Sequence, residues 1–136
     1  MKKILFVLIV LGALLLSACV SDENSTPQPT GILEAAPAEY AGKTNPLGAD
    51  ASTEGAKIFK TNCETCHGPE GHGDGPVGEA LDPKPTNLAE LQTLATDEYL
   101  FWRISEGKPG TSMPPWKSIL TEEQIWQLVA FIRTLK

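Results

Sequence analysis

Three residues near the middle of the chain have the types and the spacing to hold a metal-containing cofactor. Cys63 and Cys66 are separated by two residues, and His67 follows Cys66 directly. Cys-x-x-Cys-His is the pattern of c-type haem attachment. Two thiols at this spacing suit thioether bonds to the two vinyl-derived carbons of a porphyrin, and the adjacent imidazole can then bind the iron. The sequence therefore predicts one covalently bound haem c.

The same residues permit three simpler interpretations. Cys63 and Cys66 could form a structural disulfide in an exported protein. They could instead be a thioredoxin-like redox pair, although that pair belongs to a βαβ setting and this sequence contains none. A zinc site could use both cysteines with His67 and His72, but adjacent residues such as Cys66 and His67 are poorly placed on one tetrahedral ion.

A second axial ligand for the iron must come from few candidates. The chain has two histidines and two methionines, one of them Met1. His72 lies five residues after His67 in a glycine-rich loop, so we expect an exposed loop histidine. Met113 precedes Pro114 and Pro115, which restrict the backbone after it. We therefore predict Met113 as the sixth iron ligand.

Short helices joined by loops rich in Gly and Pro are the elements that must position these residues. Capping signals predict four helix starts, at Ser52 or Thr53, at Thr86 or Asn87, at Thr96 and at Thr121. The third helix is expected to end at Gly107. The last has one apolar face, formed by Ile125, Leu128, Val129, Ile132 and Leu135. No segment alternates with period two for long enough to make a sheet, so the predicted fold class is all-α.

The N-terminus has the layout of an export signal. Lys2 and Lys3 precede an apolar run over residues 4–16, and small residues follow. Residues 16–19, Leu-Ser-Ala-Cys, also resemble the lipobox of bacterial lipoproteins. This resemblance implies that residues 1–18 are a cleaved signal peptide and that Cys19 is acylated, which anchors the protein to a membrane. The alternative is an ordinary cleaved signal with Cys19 near the cut by chance.

Composition divides the remaining chain into two parts. Residues 19–51 are rich in Pro, Ala and Thr and lack apolar periodicity, which predicts a tether. A packed arm near Tyr40 and Leu47 is the alternative. Residues 52–136 are predicted to form one small domain, for which a covalent cofactor would be a useful staple.

Charge restricts the partners. The formal net charge is −6, from 11 basic and 17 acidic residues, and removal of Lys2 and Lys3 with the signal gives 9 − 17 = −8. An acidic domain is unsuited to nucleic acid and to anionic lipid headgroups. It suits a redox protein with a basic docking face.

Residues 52–136 as a whole resemble the class I c-type cytochromes. The shared features are Gly55 and Phe59 before the motif, the motif itself, the Gly-Asp-Gly-Pro stretch at residues 73–76, Met113-Pro114, and an aromatic residue, Trp126, on the last helix. The resemblance implies about four short helices around one haem, with the first and last helices crossing at Gly55. It also implies that Phe59 packs against Trp126.

The resemblance implies further roles around the haem. The carbonyl of Pro76 would accept a hydrogen bond from His67 Nδ1 and so orient the ring. Arg103, Trp102 and Trp116 are candidates for contact with the haem propionates. The implied function is transfer of single electrons between respiratory or photosynthetic partners on the periplasmic side or the outer face of a membrane, without a small-molecule substrate. Alternatives are a fixed haem subunit of a quinol-oxidising or respiratory complex, and a haem enzyme or gas sensor with an open iron position.

Overall fold

The computed structural model describes residues 33–48 and 50–136. The predicted signal peptide, the proposed lipidation site Cys19 and the chain up to residue 32 lie outside the described residues. The helices are α1 (Ala51–Asn62), α2 (Glu64–His67), a 3₁₀ turn (Gly78–Ala80), α3 (Leu88–Leu94), α4 (Asp97–Glu106) and α5 (Glu122–Ile132). No strand occurs in these ranges, which confirms the all-α prediction.

Side-chain caps set the starts of three helices, as predicted. The side chain of Asn87 accepts from the Glu90 N–H at the start of α3, and Thr96 accepts from the Tyr99 N–H at the start of α4. Thr121 forms the expected capping box at the start of α5. The prediction for α1 is wrong by a few residues, because this helix begins at Ala51, ahead of both predicted caps.

Helices α1 and α5 cross at Gly55. A Cβ atom there would collide with the carbonyl oxygen of Gln127 and lie 2.9 Å from Phe131 Cβ, so only glycine permits this approach. The implied packing of Phe59 on Trp126 is wrong. Phe59 instead packs on Phe131, with ring centroids 5.0 Å apart, because Phe131 lies next to the crossing. Trp126 stacks on Phe101 of α4 at 4.1 Å.

The predicted apolar face of α5 supplies the centre of the core. All of its predicted members are buried, and Leu128 and Val129 are wholly inaccessible to solvent. Burial of one such side chain stabilises the fold by about 1.5–3 kcal/mol.

No helix in the described ranges is long and apolar enough to cross a bilayer.

Residues 33–48 pack along the domain as an N-terminal arm. Tyr40 is buried against Phe101, and its hydroxyl donates to Glu106. Asn45 Nδ2 donates to the Trp126 carbonyl over 2.9 Å. A tether over the whole of residues 19–51 is therefore wrong for this part, because apolar and amide side chains here find partners on α4 and α5.

Replacement of Tyr40 by Phe should remove a pH dependence of stability. Burial, followed by the nearby Glu106 carboxylate, raises the pKa of Tyr40 to about 12 from 10.0. The unfolded chain releases this proton near pH 10 whereas the folded chain retains it, so the contribution of Tyr40 is complete below about pH 10 and is lost as the pH rises to about 12. Denaturant unfolding of wild type and of Tyr40→Phe across this interval measures the difference. Lysine titration is common to both proteins, so parallel pH profiles would contradict the expectation.

Candidate functional site

The junction of α1 and α2 presents the Cys-x-x-Cys-His motif to one cavity. Cys63 lies between the two helices, and its carbonyl accepts from the backbone N–H of Cys66 at 3.1 Å and of His67 at 2.9 Å. This single helical turn gathers all three side chains on the cavity wall. Neither cysteine is in a disulfide.

The cavity has a volume of about 250 Å³. Helices α1, α3, α4 and α5 all contribute to its apolar wall, through Phe59, Leu88, Leu91, Leu100, Ile104, Leu128 and Ile132. Met113 lines the same cavity. Two thiols, an imidazole and a thioether in one apolar chamber are the donor set that haem c requires, so the residues present fit this cofactor.

The carbonyl that meets His67 Nδ1 belongs to Thr86, at 3.3 Å. A carbonyl can only accept, so Nδ1 carries the proton and Nε2 keeps its lone pair for a metal. The implied role of Pro76 is therefore a wrong assignment in this structure. Thr86 had no predicted part in the site, because nothing in its type or spacing marks its carbonyl.

The loop between α2 and α3 explains this difference. Its far end returns to the histidine, since Leu88 N–H donates to the Gly71 carbonyl at 2.6 Å, and this pairing brings Thr86 to His67. Pro76 is exposed on the outer side of the motif. There the next residue, Val77, donates its N–H to the Thr65 carbonyl at 3.0 Å.

Burial sets the protonation of the motif. It lowers the pKa of His67, an effect that the Thr86 carbonyl opposes, so the imidazole is held neutral, as a ligand must be. Burial, followed by the charge of Cys66, raises the pKa of Cys63 to about 12. Reactive cysteines of redox pairs have lowered pKa values, so Cys63 does not have the character of a thioredoxin-like nucleophile.

Met113 lies on a loop fixed to the end of α4. Gly107 ends α4, as predicted, with a φ of 67°, and a Cβ there would come within 2.5 Å of the Met113 carbonyl oxygen. That carbonyl accepts from the Lys108 N–H at 3.2 Å, and the Trp116 N–H donates to the Ile104 carbonyl at 3.1 Å. The loop is thus held at both ends, which places Met113 on the cavity wall.

The three propionate candidates have different positions. Arg103 and Trp116 line the cavity, whereas Trp102 does not. The Trp102 ring instead supports the Arg103 guanidinium, whose central carbon is 3.8 Å from the ring centroid. His72 is exposed, as predicted; its Nε2 lies 3.3 Å from the Lys136 carbonyl oxygen, so it does not join the cavity.

A match to a protein-family model shows which family the chain belongs to. The model of the family described as "Cytochrome C oxidase, cbb3-type, subunit III" matches residues 50–132, which is more than half of the chain. The chain belongs to this c-type cytochrome family. The match covers both axial candidates and all helices of the described domain.

Curated relatives and solved structures agree with this. The cytochrome is 30% identical over 86 residues to cytochrome c6 of Thermosynechococcus vestitus, covering 63% of this chain and 70% of that protein. It is 30% identical over 78 residues to cytochrome c6 of Parathermosynechococcus lividus, covering 57% and 83% respectively.

Two solved structures share the fold. The KustC0563 c-type cytochrome has a TM-score of 0.53 at 34% identity, covering 60% of this chain and 96% of that chain. A chain of the Kuenenia stuttgartiensis reducing HAO-like protein complex Kustc0457/Kustc0458 has a TM-score of 0.58 at 26% identity, covering 67% of this chain and 47% of that one. The protein is thus an electron-transfer cytochrome that binds haem c covalently, with Cys63 and Cys66 in the matching Cys-x-x-Cys-His motif.

Proposed function

We propose that this cytochrome carries single electrons through one haem c, held by thioethers from Cys63 and Cys66 and by iron bonds from His67 Nε2 and Met113 Sδ. The observation that supports the proposal is the convergence of all four side chains on one apolar cavity. Bound there, the haem supplies a one-electron Fe(III)/Fe(II) couple.

The surrounding residues prepare this site for electron transfer rather than for bond chemistry. The Thr86 carbonyl orients the His67 ring. A methionine ligand and an apolar wall both favour the ferrous state, because thioether sulfur and low polarity disfavour the additional positive charge of ferric iron. The pinned Met113 loop limits geometric change between the two oxidation states. With His67 and Met113 both bound to the iron, the protein would leave no iron position for a substrate.

Charge supports a partner with a basic docking face. Residues 64–82, which include Cys66 and His67 of the attachment motif, contain five acidic residues and no Lys or Arg, namely Glu64, Glu70, Asp74, Glu79 and Asp82. Of these, all but Glu64 are exposed. A basic partner would be attracted to this acidic segment and released rapidly, and its association would weaken as salt is raised.

The lipobox supports export and anchoring through Cys19, on the periplasmic side of a membrane or on the outer face of a cell. Thirteen residues separate Cys19 from Leu33, the first residue that the structure describes. Even fully extended, this stretch spans at most about 50 Å. The haem domain would therefore remain close to the membrane, within reach of membrane-bound redox proteins.

A fixed subunit of a larger respiratory complex is the second candidate. The family description names an oxidase subunit, and one structural neighbour is part of a complex. Native electrophoresis after mild detergent extraction distinguishes the two candidates. A free carrier migrates at the size of this chain, and a subunit migrates with its partners.

Paired cysteine variants test the proposal. In the Cys63→Ser/Cys66→Ser double variant the haem should separate from the unfolded polypeptide, because both thioethers are missing, whereas in Cys66→Ser the remaining thioether to Cys63 should keep the haem attached. In Cys19→Ser the haem should remain attached and the protein should leave the membrane fraction. Denaturing gels stained for haem, run on membrane and released fractions, measure both effects. Full covalent haem in a Cys63→Ser/Cys66→Ser double variant would contradict the attachment site.

A further inference from the structure

Two residues at the start of the N-terminal arm reach the haem cavity. Leu33 is part of the cavity wall and packs against the hydrophobic core. Glu34, next in sequence, forms an ion pair with Arg103, which also lines the cavity. The arm therefore closes one edge of the cavity with an apolar side chain and contacts the one arginine in its wall.

Arg103 is held in an unusual environment for a charged side chain. Only 12% of it is exposed, and its guanidinium lies over the rings of Trp102 and Tyr99. Its Nε is buried and has no hydrogen-bond partner among the described residues. A buried donor needs an acceptor, and a carboxylate of the haem is an acceptor that this cavity would receive.

The rest of the arm keeps these two residues in place. Downstream of Glu34, Tyr40 is buried on Phe101. The Gly42 N–H donates to Glu98 at 2.5 Å, and the Asn45 N–H donates to Asp97 at 3.1 Å. An arm bound at several points along α4 can hold a lid at the cavity edge.

We propose that Leu33 and Glu34 are positioning residues for the haem: Leu33 excludes water from one edge of the cavity, and Glu34 holds Arg103 with its Nε towards a haem carboxylate. This inference rests on the proposed function, since the cavity must hold haem. If the inference holds, the N-terminal arm is part of the redox site, and packing of the arm on the domain raises the reduction potential of the haem.

The sign of the change in reduction potential shows whether Glu34 acts by positioning Arg103 or only through its own negative charge. Water at the cavity edge stabilises ferric haem, so Leu33→Ser should lower the potential. Loss of the Glu34 negative charge alone would raise the potential, because it would leave Arg103 uncompensated near the iron. Release of Arg103 from the cavity edge would lower it. If Glu34 holds Arg103 at the cavity edge, Glu34→Gln releases Arg103 and should lower the potential, as Arg103→Gln should.

The test is a redox titration of the full-chain holoprotein in four variants. Leu33→Ser and Glu34→Gln should shift the ferric/ferrous ratio at fixed ambient potential by about three- to tenfold, equivalent to about 30–60 mV at 59 mV per decade. Ala35→Ser and Glu39→Gln, at exposed positions of the same arm, are matched controls and should shift it less than twofold. If Leu33→Ser expresses poorly, Leu33→Ala replaces it.

Each outcome has a defined meaning. An unchanged potential in Leu33→Ser or Leu33→Ala overturns the proposal that Leu33 excludes water from the cavity edge. An unchanged or raised potential in Glu34→Gln overturns the positioning of Arg103. Covalent haem is measured on every sample, and its absence from wild type would contradict the proposed function rather than the role of the arm.

Discussion

Replacement of Met113 by Ala should convert a closed haem into one that binds carbon monoxide. Met113 is the only methionine in the part of the chain that the structure describes, and it lies on the cavity wall with His67. No other thioether among the described residues can replace it, so ferrous iron would be left with an open position. The reduction potential should fall by on the order of 0.1 V, a fraction of the roughly 0.8 V range that axial ligands control.

Carbon monoxide difference spectra and redox titration measure these two changes. His72→Ala is the matched control, because His72 is exposed and its Nε2 lies beside the Lys136 carbonyl oxygen rather than in the cavity. It should retain the wild-type spectrum and potential. Exclusion of carbon monoxide by Met113→Ala, or binding of carbon monoxide by wild type, would contradict methionine ligation and favour a haem with an exchangeable position.

The second large effect is expected at the helix crossing. Gly55→Val places a branched side chain where even a Cβ would collide with the Gln127 carbonyl oxygen. Backbone atoms cannot yield as a flexible side chain can, so α1 and α5 must separate. We expect a loss of about 3 kcal/mol or more in the free energy of unfolding, which is a large part of the roughly 5–15 kcal/mol that stabilises a domain.

Guanidinium unfolding of the holoprotein measures this loss. Gly48→Ala is the control, since a Cβ at Gly48 would meet nothing within 4 Å, and it should change stability by less than about 0.5 kcal/mol. A loss below about 1 kcal/mol in Gly55→Val would show that the crossing tolerates separation, and that its close approach does not stabilise the fold.

Much of the fold could be predicted because its signals are local. The caps at Asn87, Thr96 and Thr121 are decided by hydrogen bonds within one helical turn. The apolar face of α5 follows from a 3.6-residue period. Gly55 was identified through the family resemblance, and its steric reason is visible only in the packed structure.

The rest depends on contacts between distant parts of the chain. The Thr86 carbonyl is 19 residues from His67, and every residue has a carbonyl, so its selection depends on the path of the loop. Glu34 and Arg103 are 69 residues apart and meet only because the arm packs on α4. A segment rich in Pro and Ala resembles a tether in composition, yet a few anchoring side chains such as Tyr40 suffice to bind it.

Absorption spectroscopy of the mature protein shows whether the chain binds one haem c with Met113 as an iron ligand. Spectra of the oxidised and reduced forms would be recorded with a pyridine haemochrome of the denatured protein. We expect one c-type haem per chain, sharp bands on reduction, and in the oxidised form the weak charge-transfer band of a methionine–iron bond. Haem without that band would contradict Met113 as a ligand. A chain without covalent haem would contradict haem attachment through Cys63 and Cys66, and with it the proposed electron transfer.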